Sequence, residues 1–140
     1  MYLGLDIGSS SSKVVLLGEG GEILAAQVVN LGTGTKGVGQ ALEAAYAQAG
    51  AGPDQVAYAV VTGYGRMTYQ GADKQITEIS CHAKGVRHLS PEARTIVDVG
   101  GQDTKVIRLN PQGGVENFVM NDKCAAGTGR FLEVMARVLD

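Results

Sequence analysis

The chain has 140 residues, of which 44% are apolar, and a formal net charge of −2 at pH 7. Its basic residues are scattered and are not interleaved with aromatic ones, which argues against a nucleic-acid binder. No apolar run approaches the roughly 20 residues of a membrane span, and no signal sequence precedes the first strand pattern, so we expect a cytoplasmic protein without a membrane partner. Two cysteines in such a chain argue against a disulfide framework.

The first part of the chain predicts an α/β lobe on a mixed sheet. Three strand patterns cover Tyr2–Ile7, Lys13–Leu17 and Ile23–Val29. A helix pattern follows and stops at Gly50, and then come a strand over Val56–Val61, a loop over 62–66 and a second helical stripe. The apolar face of the first helix consists of Val38, Leu42, Ala45, Tyr46 and Ala49.

Residues 95–116 repeat residues 3–24 without gaps, at an offset of 92 residues. Each copy reads as a strand, a small-residue turn with one carboxylate, a second strand, a Gly-rich turn and a third strand. The matched pairs are Asp6 with Asp98, Gly8 with Gly100, Ser12 with Thr104, Lys13 with Lys105, Val14 with Val106, Leu17 with Leu109 and Gly21 with Gly113.

This duplication predicts phosphate binding. Turns of Gly and Ser let main-chain N–H groups approach phosphate oxygens, and the nearby carboxylate can hold Mg²⁺ directly or through water. Two facing hairpins would clamp a polyphosphate from both sides. The alternative is that Asp-Ile-Gly and Asp-Val-Gly merely end buried strands.

The repeat opens a second lobe. Its strands cover Thr95–Val99, Thr104–Leu109 and Val115–Met120, and a helix pattern then continues to Asp140 without a terminating Gly, Asn or Pro. We therefore expect a complete first lobe over residues 1–92 and an incomplete second lobe over 93–140, as the N-terminal part of a longer protein. The alternative is a native domain that ends in a helix. The apolar stripe of this helix is Phe131, Val134, Met135, Val138 and Leu139.

Cys124 lies between the third repeat strand and this helix, in the segment Asn-Asp-Lys-Cys-Ala-Ala-Gly-Thr-Gly-Arg-Phe. A cysteine at the head of a helix, next to Lys123, is favoured as a thiolate. The small residues that follow leave space beside the sulfur, and an iron–sulfur cluster is one bulky ligand that thiolates bind. The alternative is a buried small residue.

Five segments together resemble the activator (archerase) components of 2-hydroxyacyl-CoA dehydratases, and the related ATPase subunits of benzoyl-CoA reductase, of the BadF/BadG/BcrA/BcrD type. The resemblance covers essentially the whole chain and implies the actin-like ATPase (ribonuclease H-like) fold that actin, sugar kinases and Hsp70 share. The segments are Leu3–Lys13, Thr62–Arg66, Ala72–Ala83, Asp98–Asp103 and Met120–Glu133.

The resemblance implies a homodimer that hydrolyses ATP to ADP and sends one low-potential electron to a partner dehydratase. It also implies reduced ferredoxin or flavodoxin as the electron donor and a [4Fe–4S] cluster shared across the dimer. Cys124 stands at the first ligand position, and the second ligand lies beyond this chain. Cys81 is not at a ligand position, and we expect it to be a packed small residue.

The resemblance also assigns roles within the two turns. Asp6 corresponds to the Mg²⁺-ATP carboxylate. Gln102 and Asp103 are placed to orient the attacking water or to contact the γ-phosphate, and the sequence leaves open which of them does so. Lys13 either binds phosphate or faces solvent. Thr128 and Arg130 either contact a ligand or serve local helix geometry. The nucleotide-binding residues are Asp6, Gly8, Ser9, Ser10, Ser11, Ser12, Lys13, Asp98, Gly100, Gly101 and Gln102.

Two other functions use the same features. A sugar or small-molecule kinase would use paired phosphate hairpins but has no reason for the Asn121–Phe131 segment. A non-catalytic nucleotide-binding lobe would result if the missing part of the second lobe is needed for activity. We expect Arg66, His82 and His88 to be structural or solvated, because their spacing matches no metal site.

Overall fold

The computed structural model describes residues 1–139 and divides into two compact units, Met1–Glu78 and Ile79–Asp140, with Asp140 outside the described range. The boundary between the two units, after Glu78, lies earlier in the chain than the lobe boundary expected at 92/93. That boundary remains a prediction. Within residues 1–139, no helix is both long enough and apolar enough to cross a bilayer.

The element order is three strands, a helix, two strands, a helix, three strands and a helix, with single helical turns at Pro53–Gln55 and Arg66–Thr68. The bounds are β1 Tyr2–Ile7, β2 Ser12–Leu17, β3 Ile23–Val29, α1 Gly37–Ala49, β4 Tyr58–Thr62, β5 Lys74–Gln75, α2 Glu78–Leu89, β6 Thr95–Val99, β7 Thr104–Leu109, β8 Val115–Asn121 and α3 Gly129–Leu139.

The first unit is built on a five-stranded sheet in the order β3-β2-β1-β4-β5. Strand β1 pairs antiparallel with β2 and parallel with β4, so the prediction of a mixed sheet is confirmed. Alternate residues of β1 and β2 point into one core, among them Leu5, Val14 and Leu16. The two-residue strand β5 has no signal in the sequence and was not predicted.

Helix α1 closes this core. Its alanines Ala41 and Ala45 are completely buried, because small side chains let the helix approach β2 and β3 closely. The helix ends where Gly50 adopts a left-handed conformation at φ 62°, and the amide of Ala51 donates to the Tyr46 carbonyl. The predicted apolar face is confirmed, with Ala41 as an addition.

The second unit is a three-stranded antiparallel sheet in the order β6-β7-β8. Helix α2 packs on one face of this sheet, where Ala83 contacts a core of Ile96, Ile107 and Leu109. The sequence predicts α2 as part of the first lobe, since this helix precedes the second repeat along the chain.

The two repeats are equivalent at the level of single hydrogen bonds. Strands β1–β3 and β6–β8 have the same register, including an irregularity in the second strand after Leu16 and after Arg108. In the turn that follows, the amide of Gly18 donates to the Glu22 carbonyl, and that of Asn110 donates to Gly114. The duplication predicted from the sequence is therefore confirmed in the backbone.

Helix α3 begins at Gly129, and its described residues run to Leu139. Its predicted apolar stripe is present, but Phe131, Val134 and Val138 are all exposed. The prediction that this helix continues to Asp140 falls outside the described residues.

Candidate functional site

The first carboxylate turn joins β1 to β2. Asp6 and Lys13 face each other across the two strands, and Nζ of Lys13 lies 3.0 Å from Oδ2 of Asp6. The turn closes when the amide of Gly8 donates to the Ser11 carbonyl at 2.9 Å, and Ser9 and Ser10 form its tip. The Lys13 side chain is 42% exposed, so its ammonium can reach an anion at this turn as well as Asp6.

The other oxygen of Asp6 is buried without a hydrogen-bond partner among the described residues. The hydroxyl of Thr62 is also buried without a hydrogen-bond partner among the described residues. Thr62 is the residue of β4 that pairs with Asp6 in the β1–β4 register. Gly63 comes next, at φ 94°, and a β-carbon there would collide with Oδ1 of Asp6 and with the Ile7 carbonyl. Buried polar atoms without partners are costly in a folded protein, so they indicate a bound water, ion or ligand. This pair fits a hydrated cation, because Mg²⁺ commonly uses one or two carboxylates, water and phosphate oxygens.

The hydroxyls at the start of the second strand anchor the loop that follows the third strand. Ser12 is fully buried, and its Oγ donates to the Leu31 carbonyl at 2.8 Å. Thr104 makes the matching bond to the carbonyl of Gly127, also at 2.8 Å. Because the Ser12 hydroxyl donates to Leu31, only the main chain of Ser12 is left for its predicted role in phosphate binding.

The second carboxylate turn carries a larger cluster of charges. Lys105 is buried, and its Nζ lies 2.5 Å from Oδ1 of Asp103 and 3.6 Å from Oδ2 of Asp98. Nδ1 of His82 approaches the same oxygen of Asp98 to 3.2 Å from helix α2. The sequence predicts His82 to be structural or solvated, and the structure places its ring beside Asp98. Gln102 is exposed beside this cluster.

The main chain of this turn also holds the beginning of α3. The amide of Gly100 donates to the Asp103 carbonyl at 2.8 Å, and the Gly100 carbonyl accepts from the amide of Gly129 at 2.8 Å. In the first unit the Gly8 carbonyl accepts from Thr33 in the same way. The loop after the third strand is four residues longer in the second repeat, since Gly8 and Gly100 are 92 apart whereas Thr33 and Gly129 are 96 apart.

Cys124 lies in this longer loop and not at the head of the helix. The helix is capped by Thr128, whose Oγ1 accepts from the amide of Phe131 at 3.4 Å, and Gly127 turns the chain into it at φ 82°. The prediction of a helix-head cysteine is therefore wrong. Cys124 is exposed, and its carbonyl accepts from the Asn121 side chain at 3.4 Å.

The remaining predicted residues are placed as follows. The side chain of Thr128 is buried in its capping role, and Arg130 forms an exposed ion pair with Glu133 at 3.2 Å. Cys81 is half-buried on α2. Among residues 1–139, no three His, Cys, Asp or Glu side chains are grouped closely enough to hold a metal ion by themselves.

A cavity of about 350 Å³ lies within the first unit, between the end of β1 and the beginning of α1. Thr33, Thr35 and Thr68 contribute hydroxyls to its wall. The hydroxyls of Thr35 and Thr68 donate to the carbonyls of Gly32 and Gly65, so they are already satisfied within the protein.

Solved structures identify the fold. The activator of the 2-hydroxyisocaproyl-CoA dehydratase from Clostridium difficile, solved with bound ADPNP, superposes with a TM-score of 0.95 at 54% identity. The match covers 99% of this chain and 52% of that one. The architecture is thus the mixed α/β, actin-like ATPase fold.

The profile of the BadF/BadG/BcrA/BcrD ATPase family matches residues 3–140, and the chain belongs to that family. It is 60% identical to the activator of lactoyl-CoA dehydratase from Anaerotignum propionicum, over all of this chain and 54% of the relative. It is 48% identical to the (R)-2-hydroxyglutaryl-CoA dehydratase activating ATPase of Acidaminococcus fermentans. The chain spans about half the length of these relatives.

Sequence reasoning assigned no site role to two residues, Thr62 and His82. Thr62 had no signal beyond its position at the end of a strand. His82 lies 16 positions before Asp98, and only the packing of α2 brings the two side chains together. The cap at Thr128 corresponds to one of the two roles that the sequence left open for this residue, local helix geometry.

Proposed function

We propose that this chain is the nucleotide-binding part of an ATP-dependent activator that delivers a low-potential electron to a 2-hydroxyacyl-CoA dehydratase. One observation carries the proposal: two hairpins with the same hydrogen bonds each present a carboxylate and a glycine turn. Membership of an ATPase family and high identity to named dehydratase activators support it. One solved activator of this kind was determined with bound ADPNP.

The first turn binds the phosphates in this proposal. The main chain of Gly8 and of the serines Ser9 to Ser12 approaches the phosphate oxygens, and Lys13 neutralises part of their charge. Asp6 holds Mg²⁺, directly or through water, with its unpartnered Oδ1. Mg²⁺ bound there would neutralise phosphate charge, which is its usual contribution to phosphoryl transfer.

The second turn also binds phosphate in this proposal, with Asp98, Gly100 and Gly101 as the binding positions. Gln102 is exposed, whereas Asp103 already accepts a short contact from Lys105. This difference favours Gln102 as the residue that orients the attacking water. Asp103 then stabilises the turn through its carbonyl, which accepts from Gly100, and balances the charge of Lys105 through its carboxylate.

Cys124 is the cluster residue of the proposal. A [4Fe–4S] cluster takes four thiolates, and Cys124 supplies one exposed thiol on a loop with space around it. A homodimer would supply two such residues, and the other ligands come from outside this chain. The cluster would pass on single electrons received from ferredoxin or flavodoxin, and the half-buried Cys81 takes no part.

Anaerobic reconstitution of the full-length parent protein with iron and sulfide tests the cluster assignment. We expect Cys124→Ala to lose the bound iron and the broad absorbance near 400 nm. Because the chain has two cysteines, Cys81→Ala is a matched control that should retain both. Equal iron in wild type and Cys124→Ala would contradict the assignment.

Hydrolysis of MgATP tests the catalytic assignment. We expect Gln102→Ala to lower kcat by about 10²-fold or more with little change in KM, because it removes an interaction made mainly in the transition state. Gln112→Ala, a substitution of the glutamine in the turn before β8, is the control and should leave kcat unchanged. If both variants behave alike, Gln102 does not orient the water.

A further inference from the structure

We propose that His82 is a positioning residue of the second carboxylate turn: its ring holds Asp98 so that Lys105 is directed to Asp103. The distances that carry this are 3.2 Å from Nδ1 of His82 to Asp98, and 2.5 and 3.6 Å from Nζ of Lys105 to Asp103 and Asp98. That the turn takes phosphate rests on the proposed function. The arrangement of the side chains does not.

The first repeat shows what the same turn does without a histidine. There Lys13 pairs with Asp6 at 3.0 Å across the strands. In the second repeat the matching pair, Lys105 and Asp98, is looser at 3.6 Å, because Lys105 leans toward Asp103. The residue that matches Asp103 in the first repeat is Ser11, which has no charge.

The charges at this turn explain why Asp98 needs a partner in addition to Lys105. One buried ammonium faces two carboxylates, and a short contact to one of them weakens its hold on the other. A ring nitrogen beside Asp98 supplies a polar group for that second carboxylate. Nδ1 of His82 is buried and has no aligned hydrogen-bond partner among the described residues, so a small rotation of the ring brings its N–H onto Asp98.

The position of His82 is fixed by packing and not by chance orientation of a surface chain. Its neighbours Ile79, Ala83 and Val86 on α2 pack against the apolar residues of the second sheet. Asp98 lies on the same face of β6 as the buried Ile96, which α2 covers. His88, nearly two turns further along the same helix, is exposed.

Long-range ¹H–¹⁵N NMR of the imidazole rings in this chain tests the proposal. The chain has two histidines, so His88 is an internal reference and His88→Asn assigns the signals. We expect His82 to be predominantly protonated at Nδ1 and His88 to show the usual Nε2–H form. Asp98→Asn should return His82 to that usual form. Identical tautomers for both rings, or no change with Asp98→Asn, would overturn the proposal.

Substitution of the ring distinguishes positioning from mere packing. In asparagine the amide nitrogen occupies the place of Nδ1, whereas in glutamine it lies near that of Nε2. We expect His82→Ala and His82→Gln to shift the carboxyl ¹³C signals of both Asp98 and Asp103, and His82→Asn to restore them. Equal shifts in all three variants would show that only packing is involved.

A titration with MgADP separates this proposal from the proposed function. If the chain binds MgADP, His82→Ala should weaken binding about tenfold, or about 1.4 kcal/mol, and His82→Asn should restore it. If wild type binds no MgADP, the nucleotide proposal fails for this chain, and the ring tautomer still decides the role of His82.

Discussion

Val14 and Val106 occupy the same place in the two repeats, yet Val14 is 1% exposed and Val106 is 41% exposed. In the first unit α1 covers the sheet face that carries Val14. In the second unit α2 covers the opposite face of the equivalent strands. Two sheets with the same strand pairing can therefore bury opposite faces, because the side chains and not the backbone hydrogen bonds determine which face is apolar.

Two differences in sequence between the repeats favour opposite buried faces in the two sheets. Gly4 in the first repeat corresponds to Ile96 in the second, which adds a large apolar side chain to the face that α2 covers. Leu16 corresponds to Arg108, which is exposed and pairs with Glu116 at 3.0 Å. The face that α1 would need is thus partly polar in the second repeat.

Removing the methyl groups of these two valines should give the largest difference between the repeats. We expect Val14→Ala to destabilise the first sheet by about 2–3 kcal/mol, because it removes buried methyl groups and leaves a cavity. Val106→Ala should cost less than about 1 kcal/mol in the second sheet, because its side chain is largely exposed. Amide hydrogen exchange reports on each sheet separately. Equal losses would mean that the face carrying Val106 is covered.

The two hydroxyl anchors should differ less. Ser12→Ala removes a bond from a fully buried hydroxyl to the Leu31 carbonyl, and we expect a loss of about 1–2 kcal/mol. Thr104→Val removes the matching bond at a more exposed place and should cost about 0.5–1 kcal/mol. Urea unfolding followed by exchange at β2 and β7 measures both. A larger effect for Thr104 would reverse the comparison.

The smallest expected difference is in the response to alkaline pH. Burial, and next the neighbouring Tyr69, raise the pKa of Tyr46 above its ordinary value near 10. The neutral phenol is therefore favoured in the folded state, so its contribution to stability is present below pH 10 and is lost as pH rises through the folded pKa.

Urea midpoints of the first sheet between pH 8 and pH 11 check this sign. Tyr46→Phe should flatten the fall in the midpoint, and Tyr58→Phe is the control on an exposed tyrosine. All five tyrosines precede residue 79, so the second sheet should show no tyrosine-linked fall. A midpoint that rises with pH in wild type would contradict the stated direction.

The duplicated hairpin was predictable from the sequence because identical spacings of Asp, Gly and Lys determine the turn and the register together. The face that each sheet buries was not predictable, because it depends on how a helix packs on the sheet: α1 follows β1–β3 in the chain, whereas α2 precedes β6–β8. The contact between His82 and Asp98 escaped for the same reason. Cys124 was predicted at the head of α3, whereas Gly127 turns the chain and Thr128, four residues after Cys124, caps the helix.

The central claim of the proposed function is that each carboxylate turn contributes to nucleotide binding. Calorimetric titration of the chain with MgADPNP tests it most directly, with wild type, Asp6→Asn, Asp98→Asn and the remote exposed control Asp54→Asn side by side. We predict binding by wild type and the control, and at least about tenfold weaker binding for each of the other two variants. No binding by wild type, or unchanged affinity when either Asp6 or Asp98 is replaced, would contradict the claim.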